Sequence, residues 1–383
     1  MTSLNLRSAM FSKSGWAIGF GLMAVAATGF IALSGSAIAE EDPVQGQTNF
    51  ADGDNMSAEA MARAVAPLFE EDEYSETRAV LIMQDGKIVA ERYGPGYDAE
   101  TRFISWSMAK TVTGVLIGIM VADGQLVLDE PAPVPEWLRP GDPRGAITLR
   151  QLLHMSSGLE HVEAGDPPYE SDEVRALFTD GAGDAAGYAK AKSLAAVPGE
   201  TYQYSTNTSV ILADIITRQL TNSKDPKIRQ KAMADFIRGR LTEPLGLDSF
   251  FPEYDASGTM LGGSLIHANA RDWAKFGEFL RNRGAVDGSQ ILPREYVDFM
   301  LTPSATDPAY GGHIWLNRKR PEGRGTVMFP DNGPANIFGM LGHLGQQVIV
   351  SPNKRVTMVR LGKTQDNVLR PVHIKMGQIL AAM

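Results

Sequence analysis

The chain has 383 residues, 43% of them hydrophobic and 21% charged, with no cysteine and a formal net charge of −9. That length suits two domains or one large two-part fold, and the missing cysteines exclude disulfides and a lipid-modified cysteine. An acidic chain without basic runs is a poor nucleic-acid binder.

The first segment reads as a secretory signal peptide. Arg7 and Lys13 give a positive start, Trp16 to Leu33 is apolar and uncharged, and Ala37-Ile38-Ala39 offers a small-x-small cleavage site. Residues 1–39 are therefore expected to be removed and the protein exported, in a periplasm-like compartment. The length of the apolar run leaves an uncleaved membrane anchor as the alternative. Loss of that segment removes two basic and no acidic side chains, so 34 basic groups face 45 acidic ones, a net −11.

Residues 40–57 are polar and acidic and read as a flexible lead-in. Ala79 to Gln84 and Lys87 to Tyr93 are β-rich runs joined by Asp85-Gly86, which predicts a hairpin with a two-residue turn. From Ser107 onward Val112, Val115, Leu116, Ile119 and Met120 recur at helical spacing, and Asp123-Gly124 closes that helix. Pro131, Pro133, Pro135, Pro140 and Pro143 then enforce a loop. Val210 to Leu220 predicts a helix, and another begins at the N-cap candidate Asn269. Gln346 to Val350 and Arg355 to Leu361 flank Ser351-Pro352-Asn353-Lys354 as a second hairpin, and Val368 to Ala382 predicts a terminal helix. Strands at both ends with helices between predict an α+β fold: a sheet part from residues 58–130 and 255–383, and a mainly helical part from 131–254.

Ser107-Met108-Ala109-Lys110 places a hydroxyl and an amine three residues apart, on one face of a helix start. The positive helix end and its free N–H groups suit a nucleophile whose product is an oxyanion. The usual bases are missing: the mature chain has no G-x-S-x-G elbow and no H-E-x-x-H, and the six histidines are scattered.

Three further segments narrow the reading. Thr148-Leu149-Arg150-Gln151-Leu152-Leu153-His154-Met155-Ser156-Ser157-Gly158-Leu159, Pro198-Gly199-Glu200 with Tyr202-Gln203-Tyr204-Ser205, and Gly342-His343-Leu344-Gly345-Gln346 follow Ser107 in order. Together with Ser107-Met108-Ala109-Lys110 they resemble the serine β-lactamase and penicillin-binding-protein superfamily. The likeness is to the class C-like branch of 6-aminohexanoate-dimer hydrolases and β-lactamase-fold esterases, and it covers about Leu81 to Leu361.

The resemblance implies a β-lactamase/transpeptidase-like fold and an acyl-enzyme on Ser107, with Lys110 and Tyr204 as base and acid. It implies an oxyanion hole from the backbone N–H groups of Ser107 and Gln346, with Gly345 open to substrate and His343 assisting. Asn207 is the candidate for substrate binding, and Tyr202 competes with Tyr204. Trp106, Tyr310 and Trp315 are candidates for an acyl pocket. His154 carries no implied role, because relatives place their histidine where this chain has Met155. Neither metal nor organic cofactor is implied, and the partner is a small ester or amide, with no nucleic acid and a membrane only if the N-terminal segment stays uncleaved.

The chain also departs from the lactamase pattern. Thr206 stands where class C enzymes carry asparagine, His343 stands where lactamases present a lysine, and no glutamate is evident where class A enzymes keep a deacylating base. Ester or amide hydrolysis is therefore expected. The alternatives are a β-lactamase or D,D-peptidase, and a non-catalytic penicillin-recognising module.

Overall fold

The computed structural model describes residues 46–334, 336–365 and 368–383. Its main sheet holds seven strands: β1 (Thr48–Phe50), β2 (Glu76–Gln84), β3 (Lys87–Tyr93), β4 (Trp315–Leu316), β5 (Phe338–Gly342), β6 (Gln346–Ser351) and β7 (Val356–Lys363). They lie in the order β1-β3-β2-β7-β6-β5-β4, antiparallel throughout. The central pair, β2 with β7, joins opposite ends of the chain, with Gln84 opposite Val356 and Glu76 opposite Lys363. Asp85 and Gly86 take φ of 50° and 75°, as the tight β2–β3 turn requires.

Alternation along each strand sorts its side chains into two cores. Ala79, Leu81, Val348, Val350, Val359 and Leu361 face one core; Val80, Ile82, Ile349, Val356 and Met358 face the other. With both faces covered, the central strands read as near-continuous apolar runs. Five helices frame these cores: α1 (Ala58–Val65), α2 (Ala109–Ala122), α3 (Thr206–Leu220), α4 (Ala270–Arg281) and α5 (Arg370–Ala382). Trp273, Phe276 and Leu280 of α4 and most of α2 belong to the first core, while Met61 and Val65 of α1 and Val372, Met376 and Ile379 of α5 belong to the second. Helix α2 is buried on all sides from Ala109 to Met120. Its apolar spacing therefore marks a central helix rather than a surface one.

The α+β class and the antiparallel sheet flanked by helices are as expected. Asn269 caps α4 by accepting the Asp272 N–H at 2.8 Å. The differences have local causes. Thr48–Phe50, inside the stretch read as a lead-in, forms an edge strand against Arg92 to Ala90 of β3, because β3 leaves its outer ladder open. Strands β4 and β5 escaped the sequence reading: β4 has two residues, and Gly339 and Gly342 depress the strand signal of β5. Residues 131–254 contribute none of the seven strands. The signal segment and its cleavage site lie outside the described residues, within which no helix is long and apolar enough to cross a membrane.

Candidate active site

Ser107 sits in a single 3-10 turn, Trp106–Met108, that leads directly into α2. Trp106 has φ of 44°, a left-handed conformation that a bulky side chain rarely adopts and that clusters at functional sites. The turn is fixed from two sides. Ser105 Oγ donates to the Ser264 carbonyl at 3.1 Å, and the Trp106 ring meets His343 edge-on at 5.4 Å.

Lys110, one turn on and 1% exposed, points its ammonium at three oxygens. Nζ donates to Ser107 Oγ at 2.9 Å, to Thr206 Oγ1 at 2.7 Å and to the Gly263 carbonyl at 2.9 Å. It also lies 4.7 Å from the centre of the Tyr204 ring and 3.6 Å from Glu163 Oε1. Tyr204 lines the same cleft as Ser107, and the Lys110 charge opposes the rise that burial gives its hydroxyl.

Local structure explains the placement of Tyr204. The Gln203 N–H donates to the Met155 carbonyl at 2.7 Å, and Ser205 Oγ meets His161 Nδ1 at 3.0 Å while capping α3. Both neighbours are thus pinned to the 148–161 segment. The Tyr204 ring stacks on Trp315 at 5.3 Å and meets Tyr310 at right angles at 5.8 Å. Tyr202 lies apart: its hydroxyl is buried without a hydrogen-bond partner among the described residues, and its ring packs beside Arg320 and Arg324.

Two carboxylates complete the site. Glu163 accepts the Thr206 N–H at 2.6 Å and lies 2.7 Å from the Thr206 hydroxyl; Glu173 accepts from Ser264 Oγ at 3.0 Å. The single Thr206 hydroxyl proton is directed to Glu163, since Glu173 is farther, at 3.3 Å. Thr206 thereby relays between Lys110 and Glu163. Neither glutamate had a spacing that singled it out among 45 acidic residues, because both arrive on loops and a short helix after Glu160.

These charges set the protonation states. Burial alone pushes the Lys110 ammonium down, but Tyr204, Glu163 and Glu173 outweigh it and hold its pKa above the ordinary lysine value. Burial pushes the Tyr204 hydroxyl up, with Lys110 opposing, and Glu163 is likewise raised by burial against the pull of Lys110. At rest the pair is therefore an ammonium and a neutral phenol.

These groups line a cleft of about 650 Å³ with Trp106, Ser107, Glu163, Glu173, Tyr204 and Trp315 on its walls, closed opposite by Leu341, Gly342 and His343. Gly342 is required there: a Cβ would stand 2.2 Å from the Ser105 carbonyl, so β5 runs hard against the segment carrying Ser107.

Of the sequence candidates, the fold brings Ser107, Lys110, Tyr204 and His343 together. Gln346 does not line the cleft; its side chain donates to the His343, Leu344 and Gly362 carbonyls and ties down the turn. Gly345, with φ of 79°, faces Arg360, whose Nη1 a Cβ would meet at 2.5 Å, so its role is packing. Asn207 is buried on α3 away from the cleft. Trp106 and Trp315 line the cleft, whereas Tyr310 supports Tyr204 from behind. His154 stacks on Phe299 at 5.1 Å, outside it. Among the described residues no cluster of acids and histidines is placed to hold a metal ion.

Comparison with known proteins agrees with this architecture. A curated 6-aminohexanoate-dimer hydrolase of Paenarthrobacter ureafaciens is 22% identical over 329 residues, covering 82% of this chain and 80% of the relative. A Bacillus anthracis structure assigned as a 6-aminohexanoate-dimer hydrolase superposes with a TM-score of 0.64 at 22% identity, covering 82% of this chain and 80% of the other. A family VIII carboxylesterase superposes with a TM-score of 0.60 at 14% identity, over 86% of this chain and all of the esterase, which shows a shared fold. The sequence profile of the Beta-lactamase family matches residues 65–375, and with it the chain belongs to the β-lactamase family.

Proposed function

We propose that this protein is an exported serine hydrolase that cleaves an ester or a small amide through an acyl-enzyme on Ser107. The observation that carries the reading is the contact of Lys110 Nζ with Ser107 Oγ at 2.9 Å, with the Tyr204 ring 4.7 Å from the same ammonium. Once the Lys110–Tyr204 pair has lost one proton it accepts the proton of Ser107, and Oγ attacks the substrate carbonyl. The proton then passes to the leaving alcohol or amine as the tetrahedral intermediate collapses. Water attacks the acyl-enzyme by the reverse route and frees Ser107.

The backbone N–H of Ser107 and one from the Gly342–Gln346 turn opposite it are the proposed oxyanion donors. Within that turn Gly342 and His343 line the cleft with Ser107, whereas Gln346 does not. The N-terminal segment that motivates export is read from sequence.

A fluorophosphonate tests the reading directly by a covalent mass gain on Ser107, absent in Ser107→Ala. Turnover should follow on p-nitrophenyl acetate or butyrate, or on 6-aminohexanoate dimer. Tyr204→Phe and Lys110→Ala should each lose roughly 10²-fold or more in kcat/KM, while Tyr202→Phe should not. No mass gain and no turnover would reject an enzyme. A second reading, β-lactam hydrolysis, has the shared family in its favour and His343 in place of lysine against it. Fast turnover of a chromogenic cephalosporin would promote it.

A further inference from the structure

A second cleft, of about 620 Å³, opens at the end of β5 remote from Gly342. Phe338, the first residue of that strand, lies in its wall, about 14 Å along the strand from Gly342. Arg281 from the end of α4, Arg283 just beyond it, and Asn317 and Arg318 after β4 also line it. Among the described residues no acidic side chain does. In a chain of net charge −9 this cleft is a local inversion of sign.

Two of its donors are fixed by the fold. Arg281 Nε and Nη2 donate to the Glu278 carboxylate at 2.8 and 2.7 Å, and Thr357 Oγ1 donates to the same carboxylate at 2.6 Å. The two side chains are only 12% and 8% exposed, so this guanidinium is held, and its Nη1 makes no hydrogen bond among the described residues. Asn317 Oδ1 accepts the Phe329 N–H at 3.0 Å, which orients the amide and leaves its Nδ2 as a donor. Arg283 gives Nη1 to Asp298 and keeps Nε and Nη2. The Arg318 side chain has neither a hydrogen bond nor an ion pair among the described residues. Glu278 and Asp298 do not line the cleft, so guanidinium edges rather than carboxylates meet its interior.

We propose that this cleft is a second ligand site, separate from the hydrolytic one, and that it binds a small soluble phosphomonoester. One guanidinium fork fills a carboxylate, whereas forks arriving from separate elements suit a phosphate dianion with three acceptor oxygens. Leu301, Leu316 and Phe338 give the cleft an apolar wall with room for an organic body beyond the phosphate. None of the large apolar side chains exposed among the described residues lines it, which favours a soluble compound over a membrane surface. Binding here is independent of the role of Ser107.

Titration calorimetry on the Ser107→Ala protein, with phenyl phosphate, inorganic phosphate, benzoate and phenol, tests the proposal. Phenyl phosphate should bind at one site with a dissociation constant of about 1 mM or tighter, weakening as salt is added. Inorganic phosphate should bind about threefold or more weakly, benzoate about fivefold or more weakly, and phenol should give no heat. Arg318→Met and Arg283→Met should each weaken phenyl phosphate by about fivefold or more, and Arg318 holds no contact on which folding depends. Arg370→Met, a change in the active-site cleft, should leave the affinity as it was.

Absence of phenyl phosphate binding would overturn the site. Binding that Arg370→Met abolishes and Arg318→Met leaves intact would do the same, by placing the anion in the active-site cleft. Benzoate as tight as phenyl phosphate would overturn the choice of phosphate. Phosphatidate vesicles present the same group on a lipid: no co-sedimentation is expected, and capture that Arg318→Met abolishes would replace the soluble ligand with a headgroup.

Discussion

At Lys110 two opposing forces meet, and the charges win. Burial would favour a neutral amine, which a general base needs, but Glu163 and Glu173 stabilise the ammonium. Both carboxylates also raise Tyr204, so they act on the coupled pair in one direction. Activity should therefore rise with pH along a limb that belongs to the pair rather than to either residue. Glu163→Gln removes a negative neighbour and makes the shared proton easier to lose, so the limb in a kcat/KM profile should move to lower pH. An unchanged limb would show that Glu163 only positions Thr206. The S-x-x-K spacing marked Ser107 and Lys110 without help from the structure. The two glutamates could not be found that way, because their distance from Lys110 depends on a loop path and not on sequence separation.

Among the elements, β5 and the turn after it decide the geometry opposite Ser107. Gly342 lets β5 approach the Ser105 carbonyl, whereas Gly345 relieves a left-handed turn against Arg360. Among the described residues Arg360 is buried without a carboxylate ion pair and pushed down to about 9 by burial; its guanidinium holds the Gly345 and Glu76 carbonyls and the Thr77 and Thr364 hydroxyls. Gly342→Ala should therefore cut the acylation burst with p-nitrophenyl acetate by roughly 10²-fold, since a small displacement at the reacting centre is costly. Gly345→Ala should chiefly lower stability, by about 1 kcal/mol or more, as expected for alanine at positive φ. Equal burst amplitudes and rates in the two variants would show that β5 does not shape the site. Sequence located this turn by its Gly-His-Leu-Gly-Gln order but did not show which of its residues line the cleft. Which residues face Ser107 depends on where β5 ends, and strand ends carry little signal in a glycine-rich segment.

For the molecule as a whole, buried histidines make acid a selective threat. Burial holds His161 at about 4 and His313 at about 3, against an ordinary value of 6.5. The unfolded chain therefore binds protons from about pH 6.5 downward while the folded chain does not, and stability falls as pH falls. Each histidine contributes about 1.4 kcal/mol per pH unit through that window. Paired carboxylates such as Glu136, held at about 2, begin to cost stability only below about pH 4.5. Urea melts at pH 7.5, 6.5, 5.5 and 4.5 should show the loss beginning near pH 6.5. His313→Asn should flatten the slope, since asparagine tolerates the left-handed φ of 60° at that position. A flat profile down to pH 4.5 in the parent protein would refute the assignment.

Sequence by itself determined the periodic elements and the order of the candidate segments. Alternation and the Asp85-Gly86 turn specify the first hairpin, helical spacing specifies α2, and Ser107, Lys110, Tyr204 and His343 stand in motifs whose residue types are chemically constrained. Each of these signals is local, written within a few residues of the feature it specifies. Only the tertiary structure decided that Glu163 and Glu173 surround Lys110, that Gly342 rather than Gly345 meets the segment carrying Ser107, and that Gln347 and Arg370 share one end of the cleft. Those juxtapositions join residues from about ten to more than two hundred positions apart, brought together by loops and by packing on both faces of one sheet. No local propensity encodes such distances.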